Sequence, residues 1–248
     1  MSRVMYTTTR VNDMWNAIAY NCDRKFSFCT STSRWIHPDK YFNNANDLYS
    51  FIRMNNVTDV HVKPLADNGG REWIIDADYK NYDDEQDLML KIKIGATAFL
   101  LFYTKANVSR VMFTGNRGFH LWLKFTDKFK LTSSAKVRSH RYKVFDKPVR
   151  IDAANIRSGS FVDAVQRAVR IYKNEIPSKF GQDLNKLTLM YWPDVDKNIF
   201  CNYNTQIRAP FSYHSKGAKF SSCLTKKLFD TIEQCSTGSG NGGSLERK

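Results

Sequence analysis

The chain has 248 residues, enough to bury a full core, and its 42% hydrophobic and 14% aromatic content excludes a disordered polypeptide. No run of 18 apolar residues occurs and the start, MSRVMYTTTR, lacks an apolar h-region, so neither a membrane span nor a standard secretory signal is expected. Lys and Arg total 38 against 24 Asp and Glu, a net +14 that points to a polyanionic partner, nucleic acid before membrane; the five cysteines form no C-x-x-C pair and give no zinc signature.

In chain order, VNDMWNAIAY at 11–20 carries Val11, Met14, Trp15 and Ile18 at helical spacing. Asn44 and Asp47 resemble a capping box ahead of a second short helix, LYSFIR. VTDVHVK at 57–63 alternates as a strand and is expected to stop at Pro64; DNGG then turns the chain into REWIIDADYK at 71–80. There Trp73, Ile74 and Ile75 favour a half-buried strand that Asp76 and Asp78 oppose. After the acidic loop NYDDEQD, LMLKIKIGATAFLLFY reads as mainly helical, interrupted at Gly95. RVMFTGNRGFHLWLKF predicts two strands flanking Gly115–Gly118. SFVDAVQRAVRIY at 160–172 predicts a helix started by Ser160, with Phe161, Val165, Ala168, Val169 and Tyr172 on its apolar face. The organisation expected is one catalytic domain over 1–235, with a helical insert at about 127–190, and a flexible Gly/Ser-rich tail at 236–248.

Three constellations carry chemistry. In a strand Asp76 and Asp78 point the same way, roughly 6–7 Å apart, and repel unless a cation sits between them. Carboxylates holding two divalent ions serve nucleotidyl transfer. TGNRGFH at 114–120 offers a hydroxyl, two glycines whose backbone can approach phosphate, the two-pronged donor Arg117, and His120 on a face shared with Trp122 and Lys124. The segment 196–217 supplies Asp196, then Arg208, and an alternation of Ser212, His214 and Lys216 that would set three polar groups on one side. Each alone also fits a solvated strand end, an ordinary hairpin or a basic loop. A non-catalytic nucleic-acid-binding module and a metal-dependent nuclease both remain compatible with the charge and the carboxylates.

Taken in this order, the D-x-D pair, the T-G-N-R-G-F-H loop, Asp196 and, twelve residues on, the Arg208-A-P-F-S-Y-H block resemble the archaeo-eukaryotic primase small-subunit family. WNAIAYN at 15–21, YFNNANDLY at 41–49, DVHVKPL at 59–65, RVMFTGNRGFHLWL at 110–123 and VDKNIFCN at 195–202 resemble its baculovirus branch, the late expression factor one primases. The resemblance covers about Tyr6 to Lys219.

The resemblance implies an α/β catalytic core with a mixed sheet flanked by helices. It also implies a DNA primase that makes short RNA primers on single-stranded DNA from ribonucleoside triphosphates during viral DNA replication. Asp76, Asp78 and Asp196 would hold two Mg²⁺ or Mn²⁺ ions, while Thr114, Arg117, His120, Arg208 and His214 would contact the nucleotide's phosphates. An accessory subunit (late expression factor two) and the host-cell nucleus follow from the same likeness. The chain departs from the family pattern in three ways. Residues 79–113 contain no cysteine, so no structural zinc is expected, and Asn116 and Thr205 replace a usual arginine and histidine.

Overall fold

The structure is a computed structural model that describes residues 5–238. Two antiparallel sheets form its centre. The first has the order β2-β1-β3-β8, from β1 (Arg24–Thr30), β2 (Trp35–Ile36), β3 (Val57–Leu65) and β8 (Ile207–Arg208). The second has the order β11-β5-β6-β4-β7, from β4 (Ile74–Asp78), β5 (Val108–Phe113), β6 (Gly118–Leu123), β7 (Asp194–Val195) and β11 (Ser222–Cys223). A short hairpin, β9 (Tyr213–His214) with β10 (Lys219–Phe220), lies beside β3.

Helices cover the outer faces. On the first sheet lie α1 (Thr8–Ala17), capped by Thr7, and α2 (Ala45–Met54), capped by the Asn44 side chain accepting from Asp47 N–H. Their apolar residues meet Phe26, Phe28, Val60 and Val62, and the same core takes in Ile74, Met112 and Trp122 from the second sheet. The opposite face of the second sheet, with Ile75, Ala77, Val111, Phe119 and Leu121, packs under α3 (Glu85–Asn107) and α5 (Phe161–Ile171). Strand alternation therefore divides β4 cleanly: odd positions enter the helical core, even positions face the first sheet. The expected apolar face of α5, started by Ser160, is buried against α3. The remaining helices are α4 (Ala135–Tyr142), α6 (Leu184–Met190), α7 (Lys197–Cys201) and α8 (Thr225–Gly238). The first and second of these fill the segment between β6 and β7 expected to be helical.

Four local expectations change. The first helix starts at Thr8 and ends at Ala17, because Ile18 is already extended and Tyr20 adopts a left-handed backbone with φ 54°. β3 runs through Pro64: the register against β1 slips between Arg24 and Phe26, and the slip removes the ladder position that proline's missing N–H would have broken. Gly95 does not interrupt α3. It lies where the helix crosses β4, and a side chain there would overlap the Tyr79 hydroxyl. The true irregularity is Thr104, at φ 65°. α8 continues to Gly238, three residues into the span expected as a tail; positions 239–248 lie outside the described residues.

Candidate active site

β4 leaves the apolar space between the sheets at Ile74 and ends at Asp78, so one face of the strand passes from core to carboxylate. Asp76 pairs across the ladder with His120, and His120 with Met112. His120 Nε2 lies 3.5 Å from Asp76 Oδ1, and Arg117 Nε donates to Asp78 Oδ2 at 3.2 Å. The face expected to be wet beside His120 is closed: Trp122 is buried in the inter-sheet core and β6 ends before Lys124.

The two carboxyls are pushed in opposite directions. Burial drives Asp76 upward, but His120, Arg71 and Arg208 outweigh it and hold the group below the ordinary carboxylate value. Asp78 stays above that value, because burial and the Asp76 charge exceed the pull of Arg117. The repulsion expected from a D-x-D strand is therefore present, and a bound cation would relieve it.

Gly118 makes the close approach possible. A Cβ there would overlap the Ala77 carbonyl and Asp78 Oδ1. Gly115, at φ +88°, backs onto His214 and the Lys219 carbonyl. The missing side chains of both glycines make room for protein rather than for phosphate, which corrects the expectation for this loop. Thr114 closes the turn, its N–H and hydroxyl both donating to the Gly118 carbonyl at 3.0 and 3.1 Å.

The first sheet supplies the facing wall. Arg208 on β8 pairs with His61 on β3, and its Nη1 donates to Asp59 Oδ1 and, at 2.7 Å, to the Tyr213 carbonyl. Asp59 Oδ1 also accepts from the Ser215 N–H and hydroxyl at 3.2 and 3.3 Å. Burial raises the Asp59 carboxyl, yet the Arg208 bond and charge win and hold it low. The two walls enclose a hollow of about 180 Å³ lined by Asp76, Asp78, Thr114, His120, Arg208 and His214, together with His61. Six of the eight residues expected from the sequence thus meet in one place.

The other two stand apart in different ways. Arg117 sits at the rim on Asp78. Asp196 is adjacent in backbone: its N–H donates to the Asp76 carbonyl at 2.8 Å, and the β4–β7 register sets it opposite Asp76, where facing residues lie about 5 Å apart. Its carboxylate turns away to cap α7, accepting from Ile199 N–H at 2.9 Å. Arg71 anchors that helix, donating from Nη2 to the Ile199 and Asn202 carbonyls. Among the described residues no three His, Cys, Asp or Glu side chains converge closely enough to hold an ion. Asp76 and Asp78 fit a divalent cation as they stand; Asp196 joins them only if its side chain leaves the cap.

His214 is held neutral. Burial and Arg208 push its pKa down to about 4, and Nδ1 accepts from Gly217 N–H at 3.3 Å, leaving the proton on Nε2. It serves as a neutral donor, not as a cation. The expected alternation of Ser212, His214 and Lys216 is broken. Ser212 is fully buried and accepts from Val60 N–H at 2.8 Å, while Lys216 lies in the exposed turn between β9 and β10. Thr205 donates its hydroxyl to the Asn202 carbonyl at 2.9 Å. Sequence reasoning missed Asp59 and His61, although the alternation of VTDVHVK already places both on one face.

A carboxylate pair at a strand end, facing an arginine-bearing wall across a small hollow, defines a class of phosphate-transferring enzymes. The family model for the DNA primase small subunit matches residues 75–225. The chain is 63% identical to the "DNA primase" of Autographa californica nuclear polyhedrosis virus over 238 residues, covering 96% of this chain and 88% of that protein. It is 49% identical to "Late expression factor 1" of Orgyia pseudotsugata multicapsid polyhedrosis virus, covering 98% of each. The polymerase domain of Mycobacterium tuberculosis ligase D in complex with DNA aligns over 97% of this chain and 91% of that one. Its TM-score is 0.47 and its identity 13%, too distant to support an argument. The chain belongs to the DNA primase small-subunit family, and membership implies a divalent metal, a DNA template and nucleotide substrates.

Proposed function

We propose that this chain synthesises short RNA primers on single-stranded DNA by nucleotidyl transfer between ribonucleotides during viral DNA replication. The observation that carries the reading is the single hollow in which Asp76 and Asp78, one held below and one above the ordinary carboxylate value, face Arg208, His120 and His214. Two Mg²⁺ or Mn²⁺ ions would be held by Asp76 and Asp78, with Asp196 completing the set from the neighbouring strand. Once bound, such ions lower the pKa of a ribose 3′-hydroxyl and offset charge on the departing pyrophosphate.

The chain's own groups do the rest. Arg208, fixed by Asp59 and the Tyr213 carbonyl, presents its remaining N–H groups to phosphate without reorganising. His214 donates Nε2–H without adding charge. Arg117 is the mobile donor: exposed by about two-fifths, it can exchange Asp78 for a phosphoryl oxygen when that carboxylate binds metal. The net charge of +14 supports binding of the template backbone. An accessory primase subunit (late expression factor two) as partner and the host-cell nucleus as location belong to the same proposal.

The test is RNA synthesis from ribonucleoside triphosphates on single-stranded DNA with Mg²⁺ or Mn²⁺, alone and with the accessory subunit. Asp76→Asn and Asp78→Asn should each lower synthesis by about 10³-fold or more, in the range reported for loss of a transition-state contact, with cooperative unfolding retained. Full activity in either variant would remove the carboxylate pair from the mechanism. Strand cleavage without nucleotides would assign the site to hydrolysis instead.

A further inference from the structure

His61 sits in the middle of the nucleotide hollow with nothing to do. Among the described residues neither of its ring nitrogens has a hydrogen-bond partner, and both are shut off from solvent. Buried polar atoms are rarely left unpaired, and an orphan in a site is a sign of a missing ligand group. The ring is not there for packing alone. It lines the same cavity as Asp76, Asp78 and Arg208, on the strand position directly opposite Arg208. Its orientation is fixed by Trp35, whose ring meets it edge-on at 4.9 Å and 72°.

The chemistry of the missing group can be narrowed. Burial and the Arg208 charge push the imidazole pKa down to about 3, so the ring is neutral and offers one donor and one acceptor. A phosphate gains most from cations, and Arg208 and Arg117 already supply them. A neutral donor–acceptor instead matches a hydroxyl, which accepts from one partner and donates to another. The hollow, at about 180 Å³, is smaller than the 300 Å³ or more of a pocket that encloses a whole drug-sized ligand. It therefore encloses the phosphates and sugar of a nucleotide and leaves the base outside. The sugar is the part of that ligand that carries hydroxyls.

We propose that His61 hydrogen-bonds the 2′-hydroxyl of the incoming nucleotide and so makes the site prefer ribonucleotides over deoxyribonucleotides. The inference rests on reading this hollow as the nucleoside triphosphate site. A site that pairs a buried polar group with a substrate hydroxyl rejects the analogue lacking it far better than an apolar pocket does, because the protein group is then left unpaired.

The experiment extends a DNA-paired RNA primer by one residue opposite thymidine, using ATP or 2′-deoxy-ATP, with the wild-type chain, His61→Phe, His61→Ala and His61→Asn. The ratio of kcat/KM for ATP over 2′-deoxy-ATP should fall about tenfold or more in His61→Phe and His61→Ala, mostly through the ATP value. His61→Asn, which keeps a donor and an acceptor, should recover part of it. An unchanged ratio, with both nucleotides losing equally, overturns the assignment and makes His61 a packing residue; so does a wild-type chain that uses both sugars equally. Thermal unfolding of each variant guards against a folding defect. Should the wild-type chain extend nothing, the polymerase reading fails separately. Calorimetric binding of ATP against 2′-deoxy-ATP in the presence of Mn²⁺ then still decides the role of His61, since any preference for ATP must vanish in His61→Phe.

Discussion

Replacing Asp59 by alanine would expose what holds the facing wall together. The Asp59 and Arg208 side chains are only 3% and 15% exposed, and three donors converge on Asp59 Oδ1: Arg208, the Ser215 N–H and the Ser215 hydroxyl. Truncation strands a guanidinium in a poorly solvated place with the Tyr213 carbonyl as its remaining protein acceptor. Breaking a buried pair from one side costs about 3–5 kcal/mol, and the opening of the hollow beside Arg208 argues for the lower end, about 3. Urea unfolding followed by tryptophan fluorescence should show a midpoint lower by at least about 1 M, given a slope of about 1–3 kcal/mol/M. Nucleotide affinity should fall in parallel, because Arg208 loses its fixed direction. The double variant Asp59→Ala/Arg208→Met should regain most of the stability, since replacing a buried ion pair by apolar groups is often neutral, but none of the affinity. A loss below 1 kcal/mol for Asp59→Ala, or a double variant as unstable as the sum of the singles, would refute this account of the wall.

Two further outcomes follow from the same geometry. Gly118→Ala places a methyl against Asp78 Oδ1 and the Ala77 carbonyl, so primer synthesis should drop by about 100-fold or more, while unfolding shows only the roughly 1–3 kcal/mol cost of local overpacking; normal activity would mean that the hairpin does not set the carboxylate. Stability should also fall with acid. His61 and His214 have pKa values near 3 and 4 in the fold against an ordinary value of 6.5, held down by burial and Arg208 and opposed only by Asp59. The unfolded chain therefore takes up two protons that the folded chain refuses. Stability is intact above pH 6.5 and declines below it, at a slope approaching about 2.7 kcal/mol per pH unit between pH 5.5 and 4, or about 1.4 per histidine. A His61→Phe/His214→Phe variant whose pH profile matches that of the parent would contradict the reading.

How far the sequence foretold the site depends on the reach of each signal. Asp76 and Asp78 share a face because strand alternation is local, and the helix starts at Asn44 and Ser160 appear as expected because a cap involves only three or four residues. Likewise His120 falls beside Asp76 once the hairpin at Gly115–Gly118 is accepted. What period and propensity could not reach are features made by two distant segments. Gly95 reads as a helix breaker until Tyr79 is laid across it, and Pro64 as a stop until the bulge against Arg24 absorbs it. Ser212 looks like a site donor and is instead the buried acceptor that ties the chain after β8 to Val60.

Asp196 marks the boundary of that reach. Its place beside Asp76 depends on β7 docking against the far edge of β4, across an insert of some seventy residues, and the family likeness anticipated this where spacing could not. Its side chain then answers to a still more local demand, the orphan N–H groups of α7, which draw the carboxylate to Ile199. The same oxygen atoms cannot cap a helix and approach Asp76 at no cost, because Asp76 is already charged and is already the cause of the raised Asp78 carboxyl. Repulsion from the pair thus favours the capped position in the metal-free chain, and only a cation between the strands reverses the preference. On this logic the third carboxylate reports whether the site is loaded. The N–H of Ile199, protected from hydrogen exchange in the metal-free protein, should exchange faster when Mn²⁺ is added. An exchange rate indifferent to the metal would leave Asp196 a helix cap and the carboxylate pair to act without it.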